Sequence, residues 1–463
     1  MKLGDMLSET TNKGWGESVI TRLTVAGMSR FEATTKMSAM RHGAQVLAME
    51  NGVAEDAEAV AFFVPGRIEV VGKHTDYGGG RSVLCAVERG FSFVATPRTD
   101  DVIRLSPGQM EETAEFRLEP ELAPEMGTWK GYPQAVARRM ARNFPSARRG
   151  AEITFVSDLP RASGMSSSSA MVVGMFLVLA EINRVYETAE YQQNVMTQED
   201  LAGYLGTNEN GQTFKNLIGD RGVGTFGGSE DHTAILLGQA GKLVQYAYCP
   251  VRKERVISFP EEYVFAIASS GVVAEKTGAA MASYNRVSLL ARAIVGEWNR
   301  AKRSEVGTLA EVIQAAGGAE GVREMLRNST NAEFGAGDLT DRFEQFYAEN
   351  EEIVAAFGDA MEWRDWEMLG HVMDRSQKLS ETKLKNQVPQ TVELARMARE
   401  LGAVAASAFG AGFGGSVWAM VPGKESTKFL MDWKAAYTAK YAEEAGRSTF
   451  FVTRPGPAAF RVG

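Results

Sequence analysis

The run Leu159-Pro-Arg-Ala-Ser-Gly-Met-Ser-Ser-Ser-Ser-Ala170 lies between a segment that alternates as a strand and one that reads as a helix. On its N-terminal side, Ala151–Val156 sets Ala, Ile and Phe against Glu, Thr and Val, the period of a half-buried strand. On its C-terminal side an apolar run from Ala170 to about Val185 predicts a buried helix. Small residues let a backbone come close to a ligand, and the helix that follows offers unpaired N–H groups and the positive end of its dipole. Ser166, Ser167, Ser168 and Ser169 add hydroxyls that can cap the helix, meet phosphate oxygens or ligate Mg²⁺. One serine suffices for a cap. Four in succession, after the turn at Gly164, predict a phosphate-binding loop.

Outward from this unit, residues 1–60 carry Ala, Met and charged residues at roughly helical spacing. From Ala61 the pattern becomes short strands broken by turns, continued by Arg81–Val94 and Val102–Leu105. Trp129–Phe144 reads as a helix with basic residues on its exposed side. In the second half, Tyr263–Ala268 reads as a strand and about Ala279 to Leu401 as a helix-rich stretch. Val404–Ala408 then leads through Gly410–Gly415 to the strand-like Ser416–Val421. Strands and helices interspersed across two halves predict an α+β protein of two domains, 1–245 and 246–463, as 463 residues exceed one typical core.

Hydrophobic residues make up 44% and charged residues 23%, which is globular composition. A net charge of −8 without a basic block argues against a nucleic-acid partner. Cys85 and Cys249 stand far apart, and His42, His74, His232 and His371 form no paired ligand spacing, so neither a zinc site nor a disulfide framework is expected. Met1–Gly14 lacks the apolar core of a secretory signal, and the apolar stretch around Met171–Ala180 is short for a bilayer. The expectation is a cytoplasmic chain with no membrane partner. The sequence leaves protein partners unknown.

Two stretches match G-x-G-x-x-G, Gly222–Gly227 and Gly410–Gly415, but neither follows a strand and opens a helix as a dinucleotide fold requires. No G-x-x-x-x-G-K-[ST] occurs. Nicotinamide and P-loop enzymes both lose ground.

Three motifs carry a family resemblance. Pro65-Gly-Arg-Ile-Glu-Val-Val-Gly-Lys-His-Thr-Asp-Tyr-Gly-Gly79 resembles the galactokinase signature, P-G-R followed by G-E-H-T-D-Y. Leu159–Ala170 is similar to the phosphate loop of the wider family of galactokinase, homoserine kinase, mevalonate kinase and phosphomevalonate kinase, the GHMP kinases. Ala408-Phe-Gly-Ala-Gly-Phe-Gly-Gly-Ser416 is similar to that family's third motif, a loop with Gly410, Gly412 and Gly414. The resemblance implies an N-terminal ribosomal-protein-S5-like domain with a left-handed βαβ crossover, a C-terminal ferredoxin-like domain, and a site in the cleft between. It implies an ATP- and Mg²⁺-dependent sugar kinase that forms a sugar 1-phosphate.

Residue by residue, Asp231 in Gly227–Leu236 matches the family aspartate that orients or deprotonates the sugar hydroxyl. Arg67 matches the arginine that neutralises charge beside it. Glu209 and Ser168 are the expected Mg²⁺ ligands, with Ser167 a neighbouring candidate, although about ten residues near Gly211–Asp220 look inserted between Glu209 and Asp231. His74, Asp76, Gly228 and Tyr284 match residues around the sugar. Trp129 matches a tryptophan beside the adenine, a role that core packing rivals. Two departures stand out. Ala162 replaces the loop's first glycine, and Lys73 replaces the signature's glutamate. A donor-only cation in place of an acceptor predicts a substrate other than galactose, one with an acceptor or anion there, such as a uronic acid. The opposing reading turns Lys73 to solvent or to a neighbouring acid. Outside catalysis, a sensor that binds sugar and ATP is the alternative.

Overall fold

The structure, a computed structural model, describes residues 1–8, 14–108, 112–160, 163–272 and 278–463. Arg161 and Ala162 lie outside them, so the departure at Ala162 has no structural account.

Among the described residues, seven strands follow three N-terminal helices: β1 (Val60–Val71), β2 (Arg81–Pro97), β3 (Val102–Pro107), β4 (Ala114–Arg117), β5 (Ala151–Ser157), β6 (Lys242–Ala247) and β7 (Arg252–Ser258). Four more come later, β8 (Tyr263–Ser269), β9 (Ala405–Phe409), β10 (Ser416–Pro422) and β11 (Thr449–Thr453), before the short β12 (Phe460–Arg461). The first sheet has the order β12-β1-β2-β5-β3-β4, with β6 also pairing β2 and β7 extending from β6. Its pairs are antiparallel except β3 with β5, which run parallel and are joined through β4 and the helix Gly131–Asn143. The second sheet is antiparallel throughout, in the order β11-β8-β10-β9. Helices separate β8 from β9 and β10 from β11, the β-α-β-β-α-β arrangement of a ferredoxin-like unit.

The expected division at 245 falls inside β6, whose pairing with β2 ties it to the first sheet. The second sheet starts at Tyr263, and β12 returns the chain's end to β1. Residues far apart in sequence thus close the first unit.

The helix Ser167–Ile182 accounts for the sequence's longest apolar run. Met171, Val172, Val173, Met175, Phe176, Val178 and Leu179 are all buried in the core it shares with β1 and β2. Each such side chain contributes about 1.5–3 kcal/mol by leaving water, so the phosphate loop at the helix's head is anchored to the sheet. The helix Gly131–Asn143 departs from its expected face. Arg139 is buried, donating to Asn143 and to the Gln212 and Leu217 carbonyls, because the segment after Gly211 folds over it.

Candidate active site

Arg67 lies on β1 after the bulge at Pro65, where the register with β2 shifts. Its Nε donates to Asp231 Oδ1 at 2.7 Å and its Nη1 to the Gly164 carbonyl at 2.5 Å. One guanidinium therefore joins the first motif, the phosphate loop and the expected catalytic carboxylate. Burial opposes its charge, but Asp231, Glu69 and Glu230 outweigh that and raise its pKa.

Asp231 occupies the first turn of the helix Glu230–Leu237, and its second oxygen receives Ser169 Oγ at 3.3 Å. Ser169 also donates to Glu209 Oε1 at 2.6 Å, and His232 Nε2 lies 3.2 Å from that same oxygen. The serine facing Glu209 is thus Ser169. Ser168, one position round the helix, is directed to the Tyr132 phenol. The segment near Gly211–Asp220 does not push Glu209 away. Gly211 ends the helix Gln198–Asn210 in a left-handed turn, and the Val223 N–H closes the excursion on the Glu209 carbonyl at 2.9 Å. Asp220 then pins the loop to Arg138 and Arg142.

The phosphate loop leaves donors open. Ser166 holds φ 58° and makes no side-chain cap, and its Oγ is buried without a hydrogen-bond partner. The capping that one serine would explain is not what these serines do. Gly410, with φ +82°, approaches so closely that a Cβ there would meet the Gly164 carbonyl at 2.5 Å. The third motif is therefore laid directly against the phosphate loop. Gly412 meets the Asn386 carbonyl and Gly414 the Val272 carbonyl in the same loop. Trp129 is half-buried, its ring edge-on to Phe155 at 6.0 Å, outside the lining of the cleft.

On the other side of Asp231, Asp76 accepts the Glu230 N–H at 3.2 Å. A Cβ on Gly228 would come within 2.4 Å of the Asp76 carboxylate, so any larger residue there would displace Asp76. His74 Nδ1 pairs with the Tyr77 hydroxyl at 3.1 Å, and its ring lies 5.9 Å from that of Tyr284. One cleft is lined by Arg67, His74, Asp76, Ser169, Glu209, Gly228, Asp231, Tyr284 and Gly410. It brings together residues from every motif.

Lys73 is the exception. Gly72 at φ +94° and His74 at φ 56° turn the chain on either side of it, and Lys73 is absent from the cleft lining. Its ammonium is buried against Ser407 Oγ, with Gln377 Oε1 at 3.5 Å. Burial lowers its pKa, opposed by Glu349, Glu69 and Glu381. The expectation that it meets substrate is corrected to a buried bridge between the two units. Neither half of the opposing reading describes it: the ammonium is buried, and its hydrogen-bond partners are a hydroxyl and an amide oxygen, not an acid.

The cleft also holds Glu69, Glu230, His232 and Tyr77, which the motif reading passed over. Glu69 accepts the His74 N–H at 3.2 Å and the Gly410 N–H at 2.9 Å, clamping the first motif to the third. A charged residue amid Arg-Ile-Glu-Val-Val was the available signal. Burial raises the pKa of Glu69 against the pull of Arg67, raises that of Asp76, and raises that of Glu230 well above the carboxylate range, helped by Glu69, Asp76 and Asp231.

Comparison with known proteins agrees with this geometry. Residues 131–213 match the model for the GHMP kinases N terminal domain, 52–97 the galactokinase galactose-binding signature, and 352–437 the GHMP kinases C terminal model. The chain is a galactokinase-like GHMP kinase. It is 26% identical over 376 residues to a galactokinase of Actinobacillus pleuropneumoniae, covering 79% of this chain and 85% of that one. A Clostridium beijerinckii galactokinase is 25% identical over 418 residues, covering 89% and 96%. In fold, the kinase matches Lactococcus lactis galactokinase complexed with galactose at TM-score 0.72, 20% identity, and 90% and 98% coverage. Methanococcus jannaschii mevalonate kinase follows at TM-score 0.51, 13% identity, and 86% and 98% coverage. The kinase is therefore a phosphotransferase with an alcohol group as acceptor, of the sugar-kinase kind. No helix among the described residues is long and apolar enough to cross a membrane.

Proposed function

We propose that this sugar kinase uses ATP with Mg²⁺ to phosphorylate the anomeric hydroxyl of a free sugar, giving a sugar 1-phosphate and ADP. The observation that carries the reading is the Arg67 guanidinium held between Asp231 and the Gly164 carbonyl. Phosphoryl transfer depends on placement and electrostatics, and these groups supply both.

The residues fit the nucleotide and the metal. The phosphate loop keeps a buried serine hydroxyl unpartnered at Ser166, and the helix beginning at Ser167 directs its first N–H groups the same way. Ser169 and Glu209 form an adjacent pair of oxygen donors suited to a small hard cation. Among the described residues no group of three or more His, Cys, Asp or Glu is arranged to hold a metal. When bound, ATP supplies the γ-phosphoryl group, and Mg²⁺ offsets the charge of its phosphate oxygens. Asp231 orients the acceptor hydroxyl and takes its proton at a carboxylate oxygen. Arg67 fixes Asp231 and presents positive charge at the head of the phosphate loop. His74, Asp76, Tyr284 and the Gly228 backbone line the acceptor end.

The uronic-acid alternative gains nothing from Lys73, whose ammonium is outside the cleft. A substrate carboxylate would instead face Glu69, Asp76, Glu230 and Asp231. The test is ADP release against hexoses, with the product's phosphorus coupling read by NMR. An anomeric phosphate is the expected product. A 6-phosphate, or ADP release that does not depend on sugar, would contradict the reading.

A further inference from the structure

Five carboxyl groups line the cleft, Glu69, Asp76, Glu209, Glu230 and Asp231, against the single guanidinium of Arg67. Four of the five have partners in the protein. Glu69 holds two backbone N–H groups, Asp76 accepts the Glu230 N–H, Glu209 accepts Ser169, and Asp231 accepts Arg67 and Ser169. Glu230 differs. It is only 6% exposed, it lines the cleft, and its Oε1 is buried with no hydrogen-bond partner.

A buried oxygen of this kind without a partner is costly, so a ligand donor is the natural occupant of the space before it. The surroundings specify the donor's charge. Glu69, Asp76 and Asp231 act on Glu230 as like charges, and Arg67, its opposite, is already held by Asp231 and Gly164. Lys73, the other cation of the first motif, is held in the bridge to Ser407 and does not line the cleft. An ammonium brings three donors and a compensating charge to this ring of acceptors, whereas a hydroxyl brings one donor and no charge.

We propose that the acceptor is an amino sugar, and that Glu230 is the specificity residue that receives its ammonium group. This rests on the sugar-kinase reading and narrows it. Glu230 then contacts substrate beside Asp231 without taking part in the proton transfer.

The experiment compares ADP release with galactosamine, glucosamine and mannosamine against galactose, glucose and mannose, in wild type and Glu230→Gln. In wild type at least one amino sugar should exceed its parent hexose in kcat/KM by about tenfold or more, the size of one charge-assisted hydrogen bond. In Glu230→Gln, which keeps the side chain's shape, that ratio should collapse toward one, with the thermal midpoint confirming a folded protein. Galactosamine binding by calorimetry gives a second readout that does not need turnover. Turnover of neutral hexoses with no amino-sugar preference overturns this proposal and leaves the kinase reading standing. A preference unchanged in Glu230→Gln overturns the role of Glu230. Absence of turnover with any of the six sugars, together with no galactosamine binding, overturns the sugar-kinase reading and this proposal with it.

Discussion

Arg67 and Lys73 are six positions apart in one motif and both buried, yet Arg67 is ion-paired with Asp231 while Lys73 is hydrogen-bonded to a hydroxyl. Arg67 leaves β1 toward the cleft and joins Asp231 to the phosphate loop. Lys73, between two residues with positive φ, leaves the turn on the other side and reaches Ser407 of β9. A planar fork suits Arg67, which must serve two acceptors at fixed angles. A flexible ammonium suits Lys73, which fills a polar gap between units. Backbone turns, more than residue type, decide which buried cation lines the cleft.

Breaking the catalytic side of this contrast should have the largest effect. Arg67→Lys keeps the charge but loses the fork, and kcat is expected to fall about 10²–10³-fold. Steady-state kinetics with a thermal midpoint near wild type would show it. Lys73→Met should do the reverse. It removes the buried donor that Ser407 Oγ and Gln377 Oε1 receive, at a cost of about 1–3 kcal/mol in denaturant unfolding, while kcat stays within about threefold in the protein that remains folded. A large loss of kcat at unchanged stability would return Lys73 to the site.

Smaller changes sharpen the boundary between the two regions. Glu69→Gln keeps one acceptor oxygen where two backbone N–H groups are held, and should weaken the first-to-third motif clamp by about 1.5–3 kcal/mol. A raised KM for both substrates is the expected signature. Ser169→Ala should raise the Mg²⁺ concentration for half-maximal activity by about tenfold, the worth of one such hydrogen bond, and Ser168→Ala by less. The opposite order would make Ser168 the metal-facing serine.

Much of this was legible in the sequence, because motif order fixes which loops converge. The phosphate loop could be placed from its small residues and serines between strand and helix, and the third motif and Asp231 from their resemblance to galactokinase motifs. Side-chain direction was less legible. Lys73 depends on the φ values of its neighbours, and Ser169 rather than Ser168 depends on the phase of a helix whose start is set by the left-handed Ser166. Glu69 and Glu230 were hidden because each sits beside a motif residue that already explained its segment. Their roles emerge only when separate strands and helices meet in one cleft. Glu209 was harder to trust across the extra loop. The bond from Val223 to its carbonyl, which closes that loop at its base, has no mark in composition.

The central claim is that the Arg67–Asp231 pair in the cleft runs the phosphoryl transfer. Asp231→Asn keeps the size and one acceptor oxygen but removes the base. Its kcat for sugar-dependent ADP release should drop about 10²–10⁴-fold, the usual worth of a positioned general base, with a cooperative thermal transition, at a lowered midpoint, confirming a folded protein. Retention of more than half the wild-type kcat by a folded Asp231→Asn protein would contradict the account.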